Sequence, residues 1–113
     1  MTWNIEFYKG VDDEIIELPP KVQAKMLRLF DLMQIHGADL GKPHTEALGD
    51  GLFEVRAKAL EGIARSFFCY LHGKNIMVLR AFVKKTQKTP KKELELARKR
   101  MQEVKNELKA VKK

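Results

Sequence analysis

Three short strand-like segments separated by tight turns constrain this chain more than any other feature. Residues 52–57 alternate, with Phe53, Val55 and Ala57 on one side and Glu54 and Arg56 on the other. Residues 63–70 follow after Gly62, and residues 76–83 follow after His72-Gly73-Lys74-Asn75. Alternation of period two marks a half-buried strand, because successive side chains leave opposite faces of the backbone. Connections this short fold the chain back beside itself, so the neighbours run antiparallel. Residues 76–83 are the most apolar of the three and are expected at the centre of the sheet.

The other segments read as follows. Residues 2–8 alternate, with Trp3, Ile5 and Phe7 against Asn4, Glu6 and Tyr8, and predict a half-buried strand ended by Gly10. Residues 11–18 form a short acidic amphipathic stretch of one or two helical turns. Pro19-Pro20 then opens a helix over 21–35, with Val22, Met26, Leu29, Phe30 and Met33 at helical spacing and Gly37 beyond its end. Residues 38–51, with Gly41, Pro43, Gly49, Asp50 and Gly51, read as a loop. Thr89 is an N-cap candidate for a last helix over about 90–111. Its apolar residues, Leu94, Ala97, Met101, Val104, Leu108 and Val111, make a narrow seam that docks on the sheet or on the long helix. The order β-α-α-β-β-β-α predicts an α+β fold: a small twisted, mostly antiparallel sheet with helices packed on one face. The length, 113 residues, suits one domain over 1–113.

Charge is concentrated in one part of the chain. Residues 84–113 hold 12 Lys/Arg and 4 Asp/Glu, whereas residues 1–83 hold 10 and 11. The whole excess of +7 therefore sits at the C-terminal end. Either it is a directed footprint for a polyanion or it is a solvated charged helix. The single cysteine, Cys69, lies in an apolar run and reads as a small core residue in a reducing compartment. No charged-then-apolar segment opens the chain and no apolar run approaches the roughly 20 residues of a membrane span. A cytoplasmic protein without membrane contact is expected.

Arg56, Arg65 and Arg80 are the informative cations, since each lies within a strand. A buried arginine needs a partner. The partner could be a carboxylate, with Glu54 the obvious candidate, or a docked phosphate, which guanidinium binds through paired donors. The loop Lys84-Lys85-Thr86-Gln87-Lys88-Thr89 joins a buried strand to a helix start and could contact phosphates, as could Lys91 and Lys92 in the first helical turn. Other constellations are missing. There is no glycine-rich phosphate loop, no Cys/His metal spacing, no basic helix-turn-helix and no acid pair of the glycosidase type. His36, His44 and His72 are scattered through turns and read as surface residues.

Three blocks together carry a resemblance: Leu48-Gly49-Asp50-Gly51-Leu52-Phe53-Glu54-Val55-Arg56, then Ile63-Ala64-Arg65-Ser66-Phe67-Phe68, then Phe82-Val83-Lys84-Lys85-Thr86-Gln87-Lys88-Thr89-Pro90-Lys91-Lys92-Glu93. Over about residues 5–100 the chain resembles the RelE/HigB toxin superfamily, in its phage-derived, HigB-like branch. The resemblance implies a toxin of a type II toxin–antitoxin system that cleaves messenger RNA on the ribosome without metal or cofactor. It implies a cognate antitoxin, often a helix-turn-helix protein, in a hetero-oligomer. A related branch of the same fold inhibits DNA gyrase instead, and a phage-derived nucleic-acid-binding protein is a further alternative. Under this resemblance Arg56 and Arg65 hold the scissile phosphate with Arg80 supporting, and Lys84 and Lys85 bind phosphate or move a proton. Lys88, Lys91, Lys92, Thr86 and Gln87 contact RNA. Some members place a histidine or tyrosine near the C-terminal end of the sheet. Here no histidine follows His72 and the last aromatic is Phe82, so the general base is unassigned.

Overall fold

In a computed structural model, residues 2–37, 40–41, 44–84 and 90–111 are described. The three alternating segments form the strands expected of them, and a further strand joins them. In chain order the elements are β1 (Asn4–Phe7), α1 (Val11–Ile16), α2 (Pro20–His36), β2 (Thr45–Gly49), β3 (Leu52–Ala59), β4 (Gly62–Leu71), β5 (Asn75–Lys84) and α3 (Lys91–Val111). One five-stranded sheet has the order β1-β5-β4-β3-β2. Only β1 and β5 pair in parallel; every other pair is antiparallel. The sheet is thus mixed α+β and mostly antiparallel.

Three expectations are corrected. The segment 38–51 was expected to be a loop, yet residues 45–49 form β2, hydrogen-bonded to β3 through a turn in which Gly49, Asp50 and Gly51 all have positive φ. Thr-Glu-Ala-Leu-Gly has little intrinsic strand preference, so the ladder to β3 decides its conformation. Second, β5 is an interior strand, but the middle position belongs to β4. Third, the helices do not share one face. Helices α1 and α2 pack with Val55, Ala57, Ala64, Phe68, Ile76, Val78 and Ala81, whereas α3 packs with Leu52, Phe67, Cys69, Leu79 and Phe82 on the other side.

The reason for the two-sided packing is visible in β4. Every residue from Ala64 to Cys69 is buried, so both faces of this strand are out of water. A strand buried on both faces requires a layer on each. Helix α2 supplies one, burying all five of Val22, Met26, Leu29, Phe30 and Met33. It ends at Gly37, whose φ of +79° suits glycine and whose missing side chain leaves room for the Trp3 ring, 3.1 Å from where a Cβ would stand. The start of α2 has no cap of its own, because Pro19 precedes it. Glu61, in the β3–β4 turn, reaches across and accepts the backbone N–H groups of Lys21 and Val22 at 2.7 and 3.0 Å. Helix α3 supplies the second layer through Ala97, Met101 and Val104, with Leu94 and Leu108 half-buried.

Both outer strands are shorter than their neighbours, so each leaves part of an inner strand uncovered. At the β5 side the gap is closed. Leu79 is an extra residue in β5 opposite the Phe67/Phe68 step, and its carbonyl accepts from Arg100 of α3 at 2.7 Å. The N–H of Ala81 donates to Glu14 of α1 at 3.0 Å. The bulge is therefore satisfied by side chains from both layers, as buried backbone groups require. At the β3 side the end of β3 extends past the start of β2, and this is where the candidate site lies.

Candidate active site

The register of the sheet sorts the cationic residues into rows on the α3 side. Arg56 pairs with Arg65, and Arg65 with Phe82. One step toward α3, Glu46 pairs with Glu54, Glu54 with Phe67, and Phe67 with Arg80. One step away from α3, Lys58 pairs with Ile63, and Ile63 with Lys84. Like charges directly opposite one another destabilise a sheet, and this sheet twice places such pairs side by side. The two mismatches cancel. Glu54 receives Arg65 Nη1 on both carboxylate oxygens, at 3.0 and 2.9 Å, and lies 2.7 Å from Arg56 Nε. Arg56 also hydrogen-bonds to Glu46.

The expected cations are therefore not equivalent. Arg65 is 5% exposed and Glu54 1%, so the pair between them is internal. Arg56, with about a third of its side chain exposed, is the member that faces solvent. Arg80 serves a different network. It grips Glu93 of α3 through two hydrogen bonds of 3.0 Å and Glu14 of α1 at 3.0 Å. Burial opposes its charge, but the bonds to Glu93 and Glu14 outweigh burial and raise its pKa further. Arg80 thus ties α1 and α3 to β5, and its donors are occupied. Lys84 ends β5 opposite Ile63. Lys85, Thr86, Gln87, Lys88 and the N-cap candidate Thr89 lie outside the described residues. Lys91 and Lys92 are exposed in the first turn of α3.

Beside Arg56 the surface is concave. A cavity of about 320 Å³ is lined by Lys25 of α2, His44, Arg56 and Lys58 of β3, and Ile63 of β4. Its origin is the shortness of β2. That strand starts at Thr45, while β3 continues to Ala59, so the end of β3 extends past the start of β2. His44 sits at the mouth of this gap. Its carbonyl accepts the Arg56 N–H at 2.8 Å, and its own N–H donates to Gly41 at 3.0 Å. The Thr45–Val55 pairing, continued by one residue, sets His44 opposite Arg56. Lys25, His44 and Lys58 were not singled out from the sequence as site residues. The only available signal was the Arg56/Lys58 alternation, which puts both on one face of β3.

Comparisons with known proteins agree with this architecture. A profile of the phage-derived protein Gp49-like family matches residues 13–102. The chain belongs to that family. The Gp49-like chain also superimposes on a double mutant of the E. coli toxin RelE in the free state with a TM-score of 0.65 at 11% identity, covering 88% of this chain and 98% of that one. It is similar to the toxin–antitoxin complex RelBE2 of Mycobacterium tuberculosis (TM-score 0.55, 19% identity, 74% and 100% covered). The archaeal RelE–RelB complex of Pyrococcus horikoshii gives 0.55 at 18% identity, with 75% and 98% covered. These likenesses establish a RelE-like fold. No curated protein matches the Gp49-like chain in sequence. Among the described residues, no cluster of His, Cys, Asp or Glu could hold a metal ion, and no helix is long and apolar enough to cross a membrane.

Proposed function

We propose that this Gp49-like chain is the toxin of a toxin–antitoxin pair and acts as a metal-independent endoribonuclease on messenger RNA at the ribosome. One observation carries the reading: the concave, cationic gap at the β3 edge, whose described lining holds Lys25, His44, Arg56 and Lys58 and no carboxylate. A phosphodiester fits such a surface, because guanidinium and ammonium donors converge where charge develops on the phosphorus oxygens. The RelE-like fold and the family membership support the same reading.

Within it, Arg56 and Lys58 hold the scissile phosphate, and Lys25 reaches it from α2. Arg65 is a positioning residue: through Glu54 it holds Arg56 in place from beneath the surface. Arg80 anchors α3, which carries the basic residues Lys91 and Lys92 toward RNA. Lys84, Lys85, Lys88, Thr86 and Gln87 extend the contact to the RNA backbone in this reading. The ribose 2′-oxygen attacks the adjacent phosphorus, and the bond to the 5′-oxygen breaks. The products are a 2′,3′-cyclic phosphate and a free 5′-hydroxyl. A cognate antitoxin, of the kind present in the RelBE2 and RelE–RelB complexes, silences the site in a hetero-oligomer.

The test is induction of this chain alone in a bacterial host, followed by mapping of RNA 5′ ends. New cuts inside translated frames, absent with Arg56→Ala, are expected. Growth arrest without new cuts would refute the nuclease and point to a target such as DNA gyrase. Absence of arrest would refute the toxin assignment itself.

A further inference from the structure

The proposed reaction needs a group that accepts the 2′-hydroxyl proton, and the described cavity wall offers few choices. Arginine does not deprotonate in proteins, and lysine is ordinarily protonated near neutrality. Lys25, Arg56 and Lys58 bring N–H donors to the cavity, and ammonium and guanidinium groups carry no lone pair. The carboxylates bound to Arg56 are Glu46 and Glu54, and Glu54 also binds Arg65. Ile63 is apolar. His44 is the one side chain in the described lining whose neutral form has a ring-nitrogen lone pair to accept a proton.

Its position suits the task. His44 extends the Arg56–Arg65–Phe82 row by one residue, directly across from Arg56. Side chains opposite one another in antiparallel strands stand about 5 Å apart at Cβ, so a phosphate docked on Arg56 lies within reach of the imidazole. The backbone of His44 is held at both ends, by the Arg56 N–H on its carbonyl and by the Gly41 carbonyl on its N–H. Next to it Thr45 is buried, and its hydroxyl accepts the Leu40 N–H at 3.1 Å. The histidine thus stands on an anchored segment rather than on a free turn.

We infer that His44 is a catalytic residue of this site and the general base for 2′-hydroxyl attack. The inference rests on the nuclease reading. An imidazole nitrogen takes the 2′-hydroxyl proton as the 2′-oxygen bonds to phosphorus. The bond from phosphorus to the 5′-oxygen breaks, and that oxygen takes a proton from the Lys58 ammonium, which regains one from solvent. The proton on His44 then passes to solvent. The charged groups that line the cavity with His44 are Lys25 from α2 and Arg56 and Lys58 from β3, with Glu46, two residues on in β2, bound to Arg56.

The experiment uses the purified full chain, a defined messenger RNA and a reconstituted translation system. It compares wild type with His44→Ala, His44→Gln and the turn variant His72→Ala. Wild type is expected to leave 2′,3′-cyclic phosphate and 5′-hydroxyl ends, at a rate that falls on acidification, as general-base catalysis requires. His44→Ala and His44→Gln should cut about 100-fold more slowly or worse, the usual scale of a lost general base. They should bind ribosomes and unfold in urea as wild type does, and lose the acid limb of the pH profile. Free imidazole should restore part of the His44→Ala rate, which a purely structural role would not allow, and His72→Ala should be unaffected. Cleavage by His44→Ala within about 5-fold of wild type, or an acid limb that survives the substitution, would overturn the assignment of His44 while leaving the nuclease intact. No cleavage by wild type would overturn both.

Discussion

Replacing Glu54 by glutamine tests the electrostatic design of the sheet most directly. The carboxylate is 1% exposed and compensates two arginines, one of them 5% exposed. Glutamine keeps the shape and one acceptor oxygen but removes the charge, leaving the Arg65 guanidinium inside the protein without its counter-ion. Removing one partner of a buried ion pair costs about 3–5 kcal/mol. At roughly 4 °C per kcal/mol for a chain of this size, the melting temperature should fall by about 12–20 °C. Glu46→Gln is the internal comparison. It removes a carboxylate from the same Arg56, but both side chains there are about a third exposed, and such pairs contribute about 0–1 kcal/mol. Urea unfolding of the two variants beside wild type gives the difference in midpoint at constant slope. Glu54→Leu combined with Arg65→Met, which removes both charges, should recover much of the loss, because an apolar pair of similar volume is often as stable as the ions it replaces. If Glu54→Gln loses less than about 1 kcal/mol, or no more than Glu46→Gln, water or another group must compensate Arg65, and the argument for an internal pair fails.

Two further predictions concern the scaffold around the site. Glu61→Ala should destabilise the protein by about 1 kcal/mol in urea unfolding, because two N-terminal N–H groups of α2 lose their acceptor; an unchanged midpoint would mean that water caps the helix equally well. Cys69 lies beneath α3, and burial pushes its thiol up to about 11, against the opposing charge of Lys105. Alkylation at pH 8 should therefore be slow in the native protein and fast in urea. Because the folded thiol holds its proton more tightly than the unfolded one, this contribution to stability is complete below pH 9 and is lost as the pH rises through about 11. Rapid labelling of the native protein would show that α3 leaves this face readily.

Local pattern accounts for much of what could be read in advance. The five apolar positions of α2 are the five it buries, and Gly37 ends it in the conformation expected of glycine. The hairpin strands β3, β4 and β5 pair as their short connections demand. The Glu54 partnership was legible too, since residues 54 and 56 fall on one face of β3. In each case the information lies within a few residues, in a period of 2 or 3.6 and in the turn chemistry that interrupts it.

Tertiary structure decided the rest. Nothing local in Thr-Glu-Ala-Leu-Gly specifies β2, whose ladder bonds are made by backbone groups common to all residues. His44 gains its place beside Arg56 only because β2 pairs with β3 in one register, and Lys25 joins them from the opposite layer. The side on which α3 docks depends on Phe67, Cys69 and Leu79 being exposed together once β4 and β5 have paired. Which arginine faces solvent, and which is consumed by carboxylates of distant helices, follows from that packing. The sequence alone determined the faces of each element. Only the assembled sheet determined which faces meet, because such contacts join residues far apart in the chain through interactions that carry no local periodicity.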